Sequence, residues 1–262
     1  MARKSHARHY NHTGKDSSRE TRRQSRKHRR SADVVEINPA LPHLDTAYAA
    51  QRTLLPLTAR TPAQQRYISA IRHHCLTFGI GPAGTGKSYC AAALAAEALE
   101  SGQIERIILT RPAVEAGEQL GFLPGAVDEK FAVYIEAFRD ILNERLGPGT
   151  VDYCIRHGRI VAAPLAFMRG KTFNSKHFVI LDEAQNTSIA QMKMFLTRIS
   201  EDCKVVVNGD VKQSDIRGPN GLADAIDRLA GLRHVCIHEF DRQDIVRSGL
   251  VREIIDRYEP DS

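Results

Sequence analysis

The segment Gly81-Pro82-Ala83-Gly84-Thr85-Gly86-Lys87-Ser88 fits G-x-x-x-x-G-K-[ST], the spacing of a phosphate-cradling P-loop. Its glycines let successive backbone N–H groups curl around an anion, and the helix that follows adds the positive end of its dipole. Lys87 reaches the β- and γ-phosphates, Ser88 offers a hydroxyl to Mg²⁺, and Tyr89 closes the nucleotide-binding stretch. Further on, Val179-Ile180-Leu181-Asp182-Glu183-Ala184-Gln185 is an apolar run ending in two acids. Asp182 belongs beside the metal held by Ser88, and Glu183 projects differently and suits orienting or polarising a water. Adjacent acids after a strand are common in solvated loops. This pair gains weight by following a complete P-loop at a distance one domain spans, and it tilts the chemistry towards hydrolysis. A third segment, Asn208-Gly209-Asp210-Val211-Lys212-Gln213, also ends an apolar run. It reads equally as a γ-phosphate contact and as an ordinary Gly-Asp turn.

These groups must be carried by elements, and the apolar pattern supplies them. Runs rich in Ile, Val and Leu predict strands at 76–80, 106–110, 159–163, 177–182, 204–209 and 234–238. Such near-continuous runs suit strands buried on both faces of a parallel sheet. Helices are predicted at 63–73, 87–100, 127–145, 188–200, 220–230 and 244–258. In 127–145 the residues Val127, Phe131, Ile135, Phe138 and Leu142 share one helical face. In 188–200 Ile189, Met192, Leu196 and Ile199 do the same. Alternating strands and helices predict an α/β fold with a doubly wound, mostly parallel sheet.

Composition bounds the rest. The chain has 262 residues, 42% of them hydrophobic, enough for a sizeable core. It has no apolar run long enough to cross a membrane and no apolar N-terminal stretch of the secretory kind. Its five scattered cysteines contain no C-x-x-C, so a cytoplasmic protein with reduced thiols is expected, without a disulfide frame or zinc site. Charge is uneven. Residues 1–31 hold eleven Lys/Arg and two acids, leaving 26 Lys/Arg and 29 acids in the other 231. With almost no large apolar residue, 1–31 is expected to be a disordered basic tail that attracts nucleic acid or merely aids solubility. Residues 32–60, punctuated by Pro39, Pro42 and Pro56, are expected to be a connector, and 61–262 the folded domain.

Taken in order, the motifs resemble those of PhoH-like proteins, ATPases related to the first, RecA-like motor domain of superfamily 1 helicases. The resemblance runs from Thr61-Pro62-Ala63-Gln64 through the P-loop to Thr110-Arg111-Pro112-Ala113-Val114-Glu115-Ala116-Gly117-Glu118 and Leu120-Gly121-Phe122-Leu123-Pro124-Gly125. It continues in Ala163-Pro164-Leu165-Ala166-Phe167-Met168-Arg169-Gly170, Leu181-Asp182-Glu183-Ala184-Gln185, Gly209-Asp210-Val211-Lys212-Gln213 and Phe240-Asp241-Arg242-Gln243-Asp244-Ile245-Val246-Arg247. It implies a P-loop NTPase core using ATP and Mg²⁺, with Gln64 reading the adenine and Gln213 sensing the γ-phosphate. It implies nucleic-acid contacts at Thr110 and Arg111, where Glu115 also falls, and at Arg169 and Lys171. RNA is implied before DNA. It further implies a homo-oligomeric, hexameric ring in which Arg247 serves a neighbouring subunit as arginine finger. The chain departs from the family pattern at Ile216-Arg217-Gly218-Pro219-Asn220-Gly221-Leu222, where a basic stretch is usual, and at Ser248-Gly249, where His-Pro is usual. Nothing in residues 1–60 resembles the nuclease or KH domains of some relatives. The expected activity is ATP hydrolysis coupled to nucleic acid. An ATP-switched binding protein with slow turnover is the alternative, and a small-molecule kinase a weaker third.

Overall fold

A computed structural model describes residues 56–112, 127–216, 218–246 and 257, with only the backbone described for 127–134. All of these lie in one compact unit, Arg52–Ser262. The expectations for residues 1–55, for Glu115 and for Arg247 fall outside the described residues.

The elements run α1 (Pro62–His73), β1 (Leu76–Ile80), α2 (Lys87–Glu100), β2 (Arg106–Arg111), α3 (Val127–Leu146), α4 (Pro148–Arg156), β3 (Ile160–Pro164), β4 (His177–Leu181), α5 (Ile189–Leu196), β5 (Lys204–Gly209), α6 (Gly221–Leu229) and β6 (Val235–Glu239). Short 3₁₀ turns lie at Leu165–Met168, Ala184–Asn186 and Arg242–Asp244. The six strands form one sheet in the order β3-β2-β4-β5-β1-β6, and every pairing is parallel. All carboxyl ends therefore lie along one edge, where ligands bind in open α/β sheets.

Period-two alternation divides each strand between two cores. Phe178 and Ile180 of β4 join Leu109, Val206 and the inner faces of α1 to α4. Val179 and Leu181 face the other way, with Phe78, Val207, Phe195 and Leu222 under α5 and α6. Both faces are covered, as the apolar runs require. On α3, Ile135, Phe138 and Leu142 are buried together as the spacing predicts.

Three elements differ from the sequence-based expectation. Helix α5 stops at Leu196 because the backbone beyond it is taken up elsewhere: Phe173 N–H donates to Arg198 O (2.8 Å), and Ser200 N–H to Phe173 O (2.9 Å). Helix α4 was unforeseen. Its Gly147-Pro148-Gly149 start reads as a turn, yet Pro148 sits in the first helical turn, where proline is tolerated. The predicted helix from 244 does not begin there. Asp241 caps a single 3₁₀ turn through Gln243 and Asp244 N–H, and Ile245 is extended.

Candidate nucleotide site

The P-loop joins β1 to α2 and is fixed from both sides. Gly81 N–H donates to Gly209 O at the end of β5 (3.1 Å), and Phe240 N–H to Ile80 O (2.7 Å). Gly81 has φ +133°, and a Cβ there would lie 2.3 Å from Phe240 O, so only glycine fits. Gly86, at φ 86°, opens α2 without a side-chain cap, leaving first-turn N–H groups for a ligand.

Lys87 is buried and folds back on its own loop. Its Nζ donates to Gly81 O (2.6 Å), Pro82 O (2.8 Å) and Thr85 Oγ1 (3.3 Å). Burial lowers its pKa from the ordinary lysine value, against the opposing pull of Asp210, Asp182 and Glu183. Gln64 is also buried, and both ends of its amide are engaged: Nε2 donates to Thr85 O (2.9 Å), and Oε1 accepts from Arg60 N–H (2.8 Å). Gln64 thus braces the loop. It borders a cavity of about 610 Å³ lined also by Gly86, Tyr89, Glu144 and Val246, beside the phosphate cradle. Tyr89 reaches across that cavity to Glu144, its hydroxyl donating to Oε1 at 2.7 Å.

Across from the loop, Ser88 Oγ donates to Asp182 Oδ1 at 2.8 Å. A hydroxyl and a buried carboxylate form a hard, all-oxygen donor pair that suits Mg²⁺. Among the described residues no group of three His, Cys, Asp or Glu could hold a metal alone, and Mg²⁺ is commonly held by one or two protein oxygens together with substrate phosphates and water. The residues present therefore fit a nucleotide–Mg²⁺ site. Glu183 is exposed and non-glycine in the left-handed region (φ 56°, ψ 39°), the kind of strain that marks functional turns. Its Oε2 accepts from Gln185 Nε2 at 2.7 Å. The other end of that buried amide, Oε1, accepts from Asp210 N–H at 3.1 Å. Gln185 thus ties the acid at the end of β4 to the end of β5. Gln213 is held in the turn after β5 by its N–H on Asp210 O (3.1 Å). The loop, Asp182, Glu183, Asp210 and Gln213 all line one cavity of about 290 Å³.

The expected nucleic-acid residues part company. Thr110 is buried between β3 and β4, and its carbonyl accepts from Asp182 N–H (2.9 Å). Arg111 lines the same cavity as the P-loop, with Nη2 2.5 Å from Asp182 Oδ2 and its guanidinium 5.5 Å from the Phe138 ring centre. The register accounts for both placements: Thr110 pairs with Leu181, which puts Arg111 on the rung beside Asp182. Arg169 and Lys171 are exposed just after the 3₁₀ turn that follows β3, on the same sheet edge as the P-loop. Phe167 beside them is 54% exposed. Arg247 follows Val246, whose N–H donates to P-loop Gly84 O (3.1 Å).

Sequence reasoning gave no individual role to Gln185 or Asp210 and did not pair Arg111 with Asp182. Strand register alone reveals Arg111. For Gln185 the signal was its place two residues after Glu183, which a 3₁₀ turn converts into contact.

The PhoH-like protein family profile matches residues 56–259, which include every described residue of this site. The chain belongs to the PhoH-like family. It is 43% identical to Protein PhoH of Escherichia coli over 251 residues, covering 93% of this chain and 71% of that protein. It is 48% identical to PhoH-like proteins of Mycobacterium tuberculosis over 217 residues (82% of this chain, 60% of theirs) and of Bacillus subtilis over 205 (78% and 64%). The chain thus spans about 60% of the length of its mycobacterial PhoH-like relatives. Among solved structures, it is similar to the Pif1 helicase of Candida albicans at 13% identity and TM-score 0.37, covering 72% of this chain and 41% of that one. It is similar to the Pyrococcus furiosus Hef helicase domain at 13% identity and TM-score 0.38, covering 67% and 37%. As a member of the PhoH-like family, the chain carries its P-loop motif at the carboxyl edge of an all-parallel sheet. Among the described residues no helix is long and apolar enough to cross a membrane, and all five cysteines are free. Burial pushes the Cys90 thiol, behind the loop, up to about 12, which keeps it unreactive.

Proposed function

We propose that this chain hydrolyses ATP and couples the turnover to nucleic acid, RNA in preference to DNA. The observation that carries the reading is the convergence of the P-loop, the Ser88–Asp182 pair, Glu183 and Gln213 on one cavity. Lys87 leaves the carbonyls of Gly81 and Pro82 for the β- and γ-phosphate oxygens. Ser88 and Asp182 would hold Mg²⁺, which when bound neutralises charge on those oxygens. Glu183 orients the attacking water and takes its proton as the bond from γ-phosphorus to the bridging oxygen breaks. Gln185 holds Glu183 in place and is itself fixed to the end of β5. Gln213 reports the γ-phosphate to the turn after β5. Arg247 of a neighbouring subunit, in a hexameric ring, supplies the remaining positive charge. Exposed Arg169 and Lys171, with the basic segment 1–31, meet the phosphate backbone.

The test is steady-state ATP hydrolysis with and without single-stranded RNA and DNA, wild type beside Glu183→Gln. Stimulation by RNA that is lost in the variant supports the reading. Hydrolysis indifferent to both strands, with ATP-dependent binding intact, replaces it with an ATP-switched binding protein.

A further inference from the structure

We infer that Arg111 is a built-in counter-ion for Asp182 that must be exchanged for the divalent metal each time the pocket loads. The inference rests on the reading of this pocket as a nucleotide–Mg²⁺ site. Asp182 is the carboxylate that faces Ser88, and its side chain is only 5% exposed. A buried carboxylate is costly without a compensating charge. That charge is the Arg111 guanidinium, with Nη2 at 2.5 Å from Oδ2, while Oδ1 takes the Ser88 hydroxyl at 2.8 Å. Both carboxylate oxygens are thus occupied by groups that a metal must face.

Three features make this an exchangeable pair and not a fixed strut. Arg111 lines the same cavity as Gly84, Lys87, Ser88 and Gln213, so its head group lies in space a ligand would enter. Its Nε is buried without a hydrogen-bond partner, so the contact with Asp182 leaves part of the guanidinium unsatisfied. Its side chain is 27% exposed and rests on the Phe138 ring, a surface along which the head can shift. The backbone stays fixed: the register of Thr110 with Leu181, and Asp182 N–H on Thr110 O, hold the two residues on neighbouring rungs. Released from Asp182, Arg111 remains in the phosphate pocket as a second cation beside Lys87.

The test titrates Mn²⁺ into the full chain at saturating ADP, reading bound metal by electron spin resonance, for wild type, Arg111→Met and Arg111→Lys. Methionine keeps an apolar stem over Phe138 and removes the competitor, whereas lysine keeps the charge. A hydrogen bond to a charged group is worth enough that Arg111→Met should bind Mn²⁺ about tenfold more tightly, with Arg111→Lys staying near wild type. Arg111→Met should also melt lower in EDTA and recover more than wild type when Mn²⁺ and ADP are added. Unchanged or weaker Mn²⁺ binding in Arg111→Met overturns the inference. So does an Arg111→Met chain that fails to fold while Arg111→Lys binds Mn²⁺ more tightly than wild type. A wild type that binds no Mn²⁺ with ADP overturns the underlying reading of the pocket instead.

Discussion

Replacing Gln185 by alanine tests whether the acid after β4 works only because it is tied to β5. The wild-type amide spends Nε2 on Glu183 and Oε1 on Asp210 N–H. Truncation leaves that buried N–H without a partner, at a cost of about 2 kcal/mol. The Glu183 carboxylate is exposed, so its lost hydrogen bond adds little to stability. For a domain of this size, about 2 kcal/mol lowers Tm by about 4–8 °C. The effect on catalysis should be larger. Glu183 sits on a strained left-handed backbone, and without Gln185 its carboxylate loses a side-chain donor that aims it. Misplacing a positioned base costs about 100-fold in turnover. Nucleotide affinity should stay near wild type, since Gln185 touches neither Lys87 nor Ser88 through a hydrogen bond. Gln185→Glu separates the two effects. It keeps an acceptor for Asp210 N–H but sets a like charge against Glu183, so turnover falls as far while Tm falls less. The assays are calorimetric melting, and hydrolysis at saturating ATP. Wild-type turnover and wild-type Tm in Gln185→Ala would refute the coupling.

Gly81→Ala should cost at least about 3 kcal/mol and abolish nucleotide binding, because the Cβ meets Phe240 O and the φ excludes L-residues. Gly102→Ala, at φ +72° in open space, should cost only about 1 kcal/mol, and equal melting points for the two would discredit the steric account. Burial first, and Arg66 second, lowers the pKa of His238, which stacks on Tyr67; burial and then Arg106 do the same to His177. The unfolded chain then binds protons that the folded chain refuses, so stability is full above about pH 6.5 and falls as pH drops from there through the lowered folded values. His238→Phe should flatten that fall in denaturant midpoints between pH 7 and pH 5, and an unaltered slope would count against it. Arg169→Ala and Lys171→Ala should each reduce the slope of log K against log salt for single-stranded RNA by about 0.7, and an unmoved slope would remove them from the interface.

The sequence by itself determined the P-loop motif and the architecture, because both are local. The P-loop needs spaced glycines, a lysine and a hydroxyl within eight positions, and a buried parallel strand needs an uninterrupted apolar run. Hence β1, β5 and α2 lie where the pattern put them. Boundaries failed where distant backbone intervened, as when Phe173 took the amides and carbonyls that would have extended α5. What only the tertiary structure decided is which polar groups share the cavity. Arg111 and Asp182 are 71 residues apart in sequence, and only the pairing of β2 with β4 puts one guanidinium beside one carboxylate. Thr110, its neighbour, is buried by the same pairing, because successive side chains on a strand point to opposite faces. Gln185 and Asp210 meet because β4 and β5 are adjacent and β5 runs on to Gly209, past its last pairing of Val207 with Leu181. Spacing along the chain identifies the residues able to bind phosphate. Strand order and register determine which of them face it together.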